Sequence, residues 1–452
     1  MLTENTIPNE EPVLAVGIIL PEDEKREIIL TIPGDGSYAL QCDGADPIAL
    51  LPGASIRVHL DENGRLRVHT PAAGKEIRTI DSVVIAADEQ TDIGPRSGLV
   101  AHDIIAGREF HWKKFIDVPL PGTVEIRAVD STLVMINHVR FEHYLMCVAT
   151  SEMGAECPQA LIEAQTIAAR SWMLANVEKK HRSLGMDVCN DDCCQRYQGT
   201  LYMTEQSRAG AEATWGQTLL YDGSVCDARY SKSCGGVMEA YETIWGGEKV
   251  PYLIVKRDAP DDDKASLPQL QNDVVFHEWV SSVPHAFCSP HVIAESELKR
   301  YLGGVDEEGE YYRWHVTMTQ REMTEQLNRS LKLNAAVILE IQPLVRGGSG
   351  RVSRLAIHFR RKDGVLSEHI VEGDVAIRRA LHPDFLFSAA FEVQTLAGER
   401  DDSPSTFSIS GCGWGHGVGL CQIGALGMAL EGYDSHAIVA HYYPGSSLKK
   451  LY

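Results

Sequence analysis

Three groups of residues in this chain have types and spacings that could do chemistry. The first is the run G-C-G-W-G-H-G-V-G-L-C-Q-I-G-A-L-G from Gly411 to Gly427. Glycine removes the Cβ penalty, so the backbone can take positive φ and approach a ligand closely while Trp414, His416 and Gln422 project from it. The same run also reads as a turn-rich passage between elements, with His416 a buried imidazole that fixes the glycines. The second group is Cys189-x3-Cys193-Cys194. Three sulfurs in six residues can supply two zinc ligands from one loop, but a tetrahedral ion needs further donors. His181, Cys226 and Cys234 are the nearest in sequence, and a reduced surface cluster is the competing reading. The third is Glu152, in A-T-S-E-M-G from Ala149 to Gly154, with apolar residues on one side and a glycine on the other. A carboxyl group there suits acid–base work. It equally suits a solvated acid just ahead of a helix, held by the helix dipole, a role open to Glu156 as well.

These groups need elements to position them. Ile56 to Leu60 alternates, Asp61 to Gly64 supplies a hairpin turn, and Leu66 to His69 alternates back, so residues 1–120 are expected to be all-β with one wet face. His59 and His69 fall on polar positions of that alternation and are expected to be solvated. Val124 to Val139 is again strand-like. From Cys157 and Pro158 the period becomes helical: Pro158 suits a first helical turn, and Leu161, Ala164, Ala168, Trp172 and Ala175 form a narrow apolar stripe of mainly small residues. Gln195 to Gly199 and Tyr230 to Gly236 read as small-residue and polar loops. Further on come an acidic linker from Asp258 to Asp263, an amphipathic helical stretch near Glu295 to Tyr301, and strands around Ile338 to Gln342 and Leu355 to Phe359.

Composition limits the chemistry. A chain of 452 residues with 44% hydrophobic content can build real cores. A net charge of −21, from 42 Lys and Arg against 63 Asp and Glu, disfavours nucleic acids and anionic membrane surfaces. The N-terminal residues show no basic n-region with an apolar run, and no stretch of about 18 apolar residues occurs, so neither a signal peptide nor a membrane span is visible. Eleven cysteines make an odd count, which favours free thiols or metal ligands over a complete disulfide framework. Cys147 and Cys226 read as buried small residues. The motifs of nucleotide-binding proteins, zinc proteases and serine hydrolases do not occur, and no organic cofactor is expected.

Taken in order, the segments resemble one bacterial family, the SpoIID/LytB group of stage II sporulation protein D and amidase enhancers. The resemblance runs from Tyr144 to Met153, through Gln159 to Trp172 and Cys189 to Gly199, to Ser233 to Gly236, Trp245-Gly246 and Pro251 to Leu253. It resumes with Gly350 to Val352 and Ile377 to Leu381, and ends in Gly413 to Gly419, Gln422, Gly424-Ala425 and His441 to Pro444. It implies an α+β fold: a β-rich N-terminal domain over 1–120, a core with the glutamate and cysteine cluster over 121–257, an inserted α+β segment over 258–400, and a glycine signature over 401–452 that completes the core.

The resemblance also implies an activity, that of a lytic transglycosylase cleaving the MurNAc-GlcNAc bond of peptidoglycan strands stripped of stem peptides, with Glu152 as the single acid and base. Such an acid starts neutral, so burial is expected to raise its pKa. Arg170, Gln195, Tyr197, Ser233, Gly235, Gly236, Trp414, His416 and Gln422 are the implied substrate contacts, although Arg170 also has the alternative of pairing with an acid. The family's cysteine-histidine-glutamine loop matches Cys189, Cys194 and Gln195, but Cys193 stands where histidine is expected. That leaves His181 as the nitrogen donor to a zinc ion that is structural or shapes the groove. Glycan strands are the implied partner. The alternative from another class is a non-catalytic glycan binder that enhances an amidase. A family acting in cell-wall turnover and sporulation implies an extracytoplasmic location, whereas the absence of a visible leader leaves a cytoplasmic one open.

Overall fold

The expected hairpin is present as Ser55–Leu60 against Leu66–His69, antiparallel, with Leu60 opposite Leu66 and Val58 opposite Val68. Ile56, Val58, Leu60, Leu66 and Val68 are buried, while His59 and His69 take the outward alternate positions. The computed structural model of the chain describes residues 2, 7–34, 36–42, 46–73, 76–79, 82–87, 93–108, 113–175, 177, 179–191, 193–260, 265–302, 309–397 and 403–452. The hairpin belongs to a six-stranded sheet in the order Lys114–Leu120, Leu99–Ala106, Glu27–Thr31, Ser55–Leu60, Leu66–His69, Ile77–Thr79. A second, seven-stranded sheet runs Val188–Cys189, Val13–Ile19, Thr132–Arg140, Thr123–Val129, Ser82–Ala87, Tyr38–Cys42, Ile48–Ala49. Strands and helices together make the fold α+β. The chain folds into two compact units, one of Met1–Asp227 with Tyr301–Val305 and Leu448–Tyr452, the other of Ala228–Arg300 with Asp306–Ser447.

In the first unit the sheets lead into helices α1 (Phe141–Glu152), α2 (Gln159–Ala175) and α3 (Glu205–Ala213). Glu152 is therefore the last residue of α1, a helix that sequence periodicity missed. Phe141, Tyr144, Leu145, Met146, Cys147, Val148 and Ala149 are all buried, and a helix that is apolar all round carries no amphipathic signal. The stripe expected on α2 is wider than its small residues. Leu161, Ala164 and Ala168 are buried, but so are Ile162, Gln165, Ile167, Ala169, Arg170, Met173 and Leu174, whereas Trp172 is half-exposed. The close approach of α2 and α3 falls at Gly210, where a Cβ would meet the Ile162 side chain at 2.8 Å.

The second unit carries α4 (Tyr241–Trp245), α5 (Asp273–Val280), α6 (Glu295–Leu302), α7 (Gln320–Leu331), α8 (Asp374–Leu381), α9 (Gln422–Leu430) and α10 (Ser435–Tyr442), with the last two residues of α6 belonging to the first unit. Its sheets are Arg313–Thr319, Pro404–Cys412, Phe391–Ala397 and Ala335–Arg346, Val352–Arg361, Leu366–Glu372, each in that order. Met323 and Leu327 of α7, Ile377 and Leu381 of α8, and Ile338, Leu355, Ile357, Phe391, Phe407 and Ile409 of the strands share one core. The acidic linker is corrected in part. Asp258 is fully buried rather than solvated, and residues 261–263 lie outside the described ones.

Candidate functional site

In the first unit the site forms where the cysteine loop meets the end of α1. Glu152 is half-buried, and its Oε1 accepts the Arg196 backbone N–H at 3.1 Å. Its place at a helix C-terminus removes the dipole support expected for an acid ahead of α2, since that end of a helix disfavours negative charge. The loop residues on either side of Arg196 are anchored internally. Gln195 accepts the Tyr144 hydroxyl at 3.0 Å and donates to the Ala169 carbonyl at 3.1 Å. Tyr197 donates to Asn137 at 2.7 Å and stacks on Tyr144 with ring centres 4.9 Å apart. Both side chains are buried, so the residues expected to touch a ligand instead hold the loop that holds Glu152.

Arg170, another expected contact, is fully buried. Its Nε and Nη2 form a bidentate pair with Glu142 at 2.9 and 2.6 Å, and Nη1 donates to the Gln217 carbonyl at 3.0 Å. The pairing alternative is the one realised, and the partner is a helix residue whose burial periodicity did not reveal.

His181, Cys189, Cys193 and Cys194 converge with one donor atom from each within 4.8 Å of the others. Cys193, set aside in the resemblance, thus joins the expected set of Cys189, Cys194 and His181. Cys189 and Cys193 sulfurs lie 3.2 Å apart. Hydrogen bonds from the Cys189 and Cys194 thiols and from His181, with the nearby Lys180 charge, outweigh burial and hold the Cys193 thiol well below its ordinary range. His181 Nε2 is buried and finds no hydrogen-bond partner among the described residues. The loop is pinned on its far side, where Asp191 accepts the Gly107 and Arg108 amides at 3.0 and 2.7 Å and Asn190 accepts from Arg108 at 2.6 Å. Of the other nearby donors considered, Cys226 is buried outside the group and Cys234 belongs to the second unit. All eleven cysteines are free thiols, and burial pushes Cys147 up.

In the second unit the glycine signature is pinned by its own neighbours. Trp414 and Ser233 exchange backbone hydrogen bonds at 2.8 and 3.1 Å, joining the signature to the Ser233–Gly236 loop. Gly235 and Gly236 sit at φ +76° and +102°, and a Cβ on Gly236 would meet Trp279 at 2.9 Å and the Tyr312 hydroxyl at 3.1 Å. The half-buried Trp414 ring stacks on Phe387 at 4.5 Å and lies 4.9 Å from Tyr311. His416 accepts the Val418 amide at Nδ1 at 3.0 Å and meets Trp245 edge-on at 5.0 Å. Burial, then Arg229, Arg351 and Arg378, drive its pKa down to about 3, so it is a neutral imidazole. Gln422 is buried at the start of α9.

Arg351, fully buried, reaches the carbonyls of Cys234 and Gly415 and the Ser349 hydroxyl, the last at 2.9 Å. Gly417, at φ +72°, has no Cβ because the Arg351 guanidinium fills that space. A cavity of about 490 Å³ opens beside Trp245, lined by Ile244, Leu331, Glu372, Asp374 and Arg379.

The fold and these residues define an α+β protein in which a helix-terminal glutamate is held by a cysteine-rich loop. Residues 129–221 match the family model described as stage II sporulation protein, and residues 239–419 match a domain of unknown function, DUF8618. The chain is 27% identical over 305 residues to the amidase enhancer of Bacillus subtilis, covering 67% of this chain and 39% of that protein. It is 22% identical over 333 residues to stage II sporulation protein D of the same organism, covering 70% and 76%. An uncharacterized protein of Brachyspira hyodysenteriae is 23% identical over 324 residues, covering 72% and 70%. The chain thus spans about two fifths of the amidase enhancer's length. The family model over residues 129–221 and these relatives support the resemblance to the SpoIID/LytB family. No helix among the described residues is long and apolar enough to cross a membrane.

Proposed function

We propose that the protein is a lytic transglycosylase acting on peptidoglycan glycan strands, with a role in cell-wall turnover. The observation that carries this reading is Glu152, half-buried at the end of α1 with one carboxylate oxygen fixed by the Arg196 amide and lying within the segment that matches the SpoIID model. Neutral Glu152 protonates the glycosidic oxygen as the bond to muramic C1 breaks, releasing a GlcNAc hydroxyl. The resulting carboxylate then takes the proton of the muramic C6 hydroxyl as that oxygen bonds to C1, giving a 1,6-anhydro end without water. One carboxyl group serves both steps, so no second carboxylate is required.

A zinc ion fits the first cysteine cluster. Three thiols and one imidazole within 4.8 Å, with His181 Nε2 otherwise unpartnered among the described residues, match a Cys₃His set. Four protein donors make a closed, structural set that requires neither water nor Glu152 as a ligand. Bound there, zinc would fix the loop that carries the Arg196 amide.

A second reading is favoured by the match to the amidase enhancer over 67% of this chain: the protein binds glycan and stimulates an amidase without cleaving. Mass spectrometry of stem-peptide-free glycan strands, incubated with the protein or with Glu152→Gln, separates the two. Anhydro-muramic ends made by the wild type and lost in the variant are the expected result. Glycan retained by both proteins but cut by neither overturns the transglycosylase and favours the enhancer.

A further inference from the structure

Four segments far apart in sequence deliver Cys234, Asp258, Cys288 and Cys421 to one point inside the second unit, with one donor atom from each within 4.8 Å of the others. All four residues are buried. We propose that they form a second metal centre, a closed Cys₃Asp site for one structural zinc ion that locks the glycine signature from behind.

The geometry is on the scale of one ion. Zinc–sulfur bonds of about 2.3 Å in a tetrahedron place ligating sulfurs about 3.8 Å apart, and the Cys234 and Cys288 sulfurs are 3.7 Å apart. The donor set favours zinc, because thiolates select it over the hard cations that oxygen ligands prefer. Simpler accounts explain only parts of the cluster. Buried cysteines are ordinary as small apolar residues, but their convergence on a buried carboxylate is not, since an unpaired buried charge is strongly disfavoured. A Cys234–Cys288 disulfide would leave Cys421 and Asp258 unexplained.

The surroundings are those of ligands held by a second layer of hydrogen bonds. Cys421 Sγ accepts the amides of Cys234 at 3.2 Å and Gly424 at 3.3 Å, the latter from the first turn of α9. Asp258 accepts the Cys288 amide at 3.0 Å and the Tyr442 hydroxyl at 2.7 Å. His441 Nε2 stands 4.0 Å from Asp258, and Lys256 Nζ lies 3.1 Å from His441 Nδ1. Three thiolates, a carboxylate and a dication carry a net charge of −2, which these amides, the helix N-terminus and the cation offset.

The position gives the centre its consequence. Cys234 lies in the loop bonded to Trp414, while Leu420–Cys421 lies within the signature and pairs in parallel with Tyr230–Ser231. An ion here would tie the Ser233–Gly236 loop to the segment that carries Trp414 and His416.

The test separates this centre from the first. Full-length Cys189→Ser/Cys194→Ser protein, purified under reducing conditions with zinc supplied, is expected to hold about one equivalent of zinc, lost when Cys288→Ser/Cys421→Ser is added. A folded double variant with no zinc, or a four-serine protein that keeps it, overturns the proposal. Crystals of the wild type grown in zinc need no substitution. An anomalous peak at the zinc edge amid the four residues is expected, and no peak there, or a Cys234–Cys288 disulfide, overturns it.

Discussion

Replacing Arg170 by methionine separates its two readings, because a ligand contact and a buried structural charge fail differently. The guanidinium is fully buried, paired bidentately with Glu142 at 2.9 and 2.6 Å. Glu142 also accepts the Tyr452 hydroxyl at 2.8 Å and the Gly216 amide at 3.2 Å, so it ties α1 to the loop after α3 and to the chain terminus. Arg170→Met keeps the aliphatic bulk but leaves the carboxylate buried with only these two neutral donors. Removing one partner of a buried pair costs about 3–5 kcal/mol. For a unit of this size each kcal/mol moves the midpoint by roughly 2–4 °C, so calorimetry should show the first unit's transition lowered by roughly 6–20 °C. Adding Glu142→Leu removes the stranded charge and should place the midpoint between those of the wild type and the single variant. A midpoint within about 2 °C of wild type in Arg170→Met, together with weakened glycan binding, would refute the structural assignment and restore Arg170 as a contact.

The remaining predictions concern the signature and the cysteine loop. His416 has a folded pKa of about 3, below its unfolded value near 6.5. The unfolded chain therefore binds the extra proton between those values, and stability falls as pH drops through that window. Acid titration of stability should show a shallower slope there in His416→Gln than in the wild type, and an unchanged slope would count against a half-buried neutral imidazole. Gly417→Ala places a Cβ on the Arg351 guanidinium at φ +72° and should destabilise the second unit by about 1–3 kcal/mol in chemical denaturation. Cys189→Ser/Cys194→Ser should loosen the loop that presents the Arg196 amide, speeding amide exchange across residues 189–198 and reducing glycan cleavage by roughly 10–100-fold, the usual effect of losing a supporting shell. Slowed cleavage without faster exchange would argue that the cysteines act on the glycan directly.

Sequence legibility followed the range of each interaction. The hairpin over residues 55–69 was legible because alternation and a turn are local, and the helix after Pro158 because its period is local too. The helix bearing Glu152 was not, since all of Phe141 to Ala149 except His143 are buried and leave no polar face to mark the period. The same limit hid Asp258, Cys288 and Cys421, whose significance lies in the fold bringing them to Cys234. Spacing singled out Cys189, Cys193 and Cys194 together, and it was the family pattern, expecting histidine, that left Cys193 out of the ligand set.

The residues that carry the family resemblance therefore divide by burial. Arg170, Gln195 and Tyr197 are internal, as are Ser233 and Gln422, so a chain can keep these motifs simply because the fold requires them. Glu152 differs: it is half-buried, its Oε1 accepts a backbone amide, and it is not among the cluster's donors. A backbone donor persists through side-chain changes in the loop, so Arg196→Ala should leave the Glu152 contact intact. Cleavage near the wild-type level in that variant, against its loss in Glu152→Gln, would assign the positioning to the loop's path; loss in both would assign it to the Arg196 side chain.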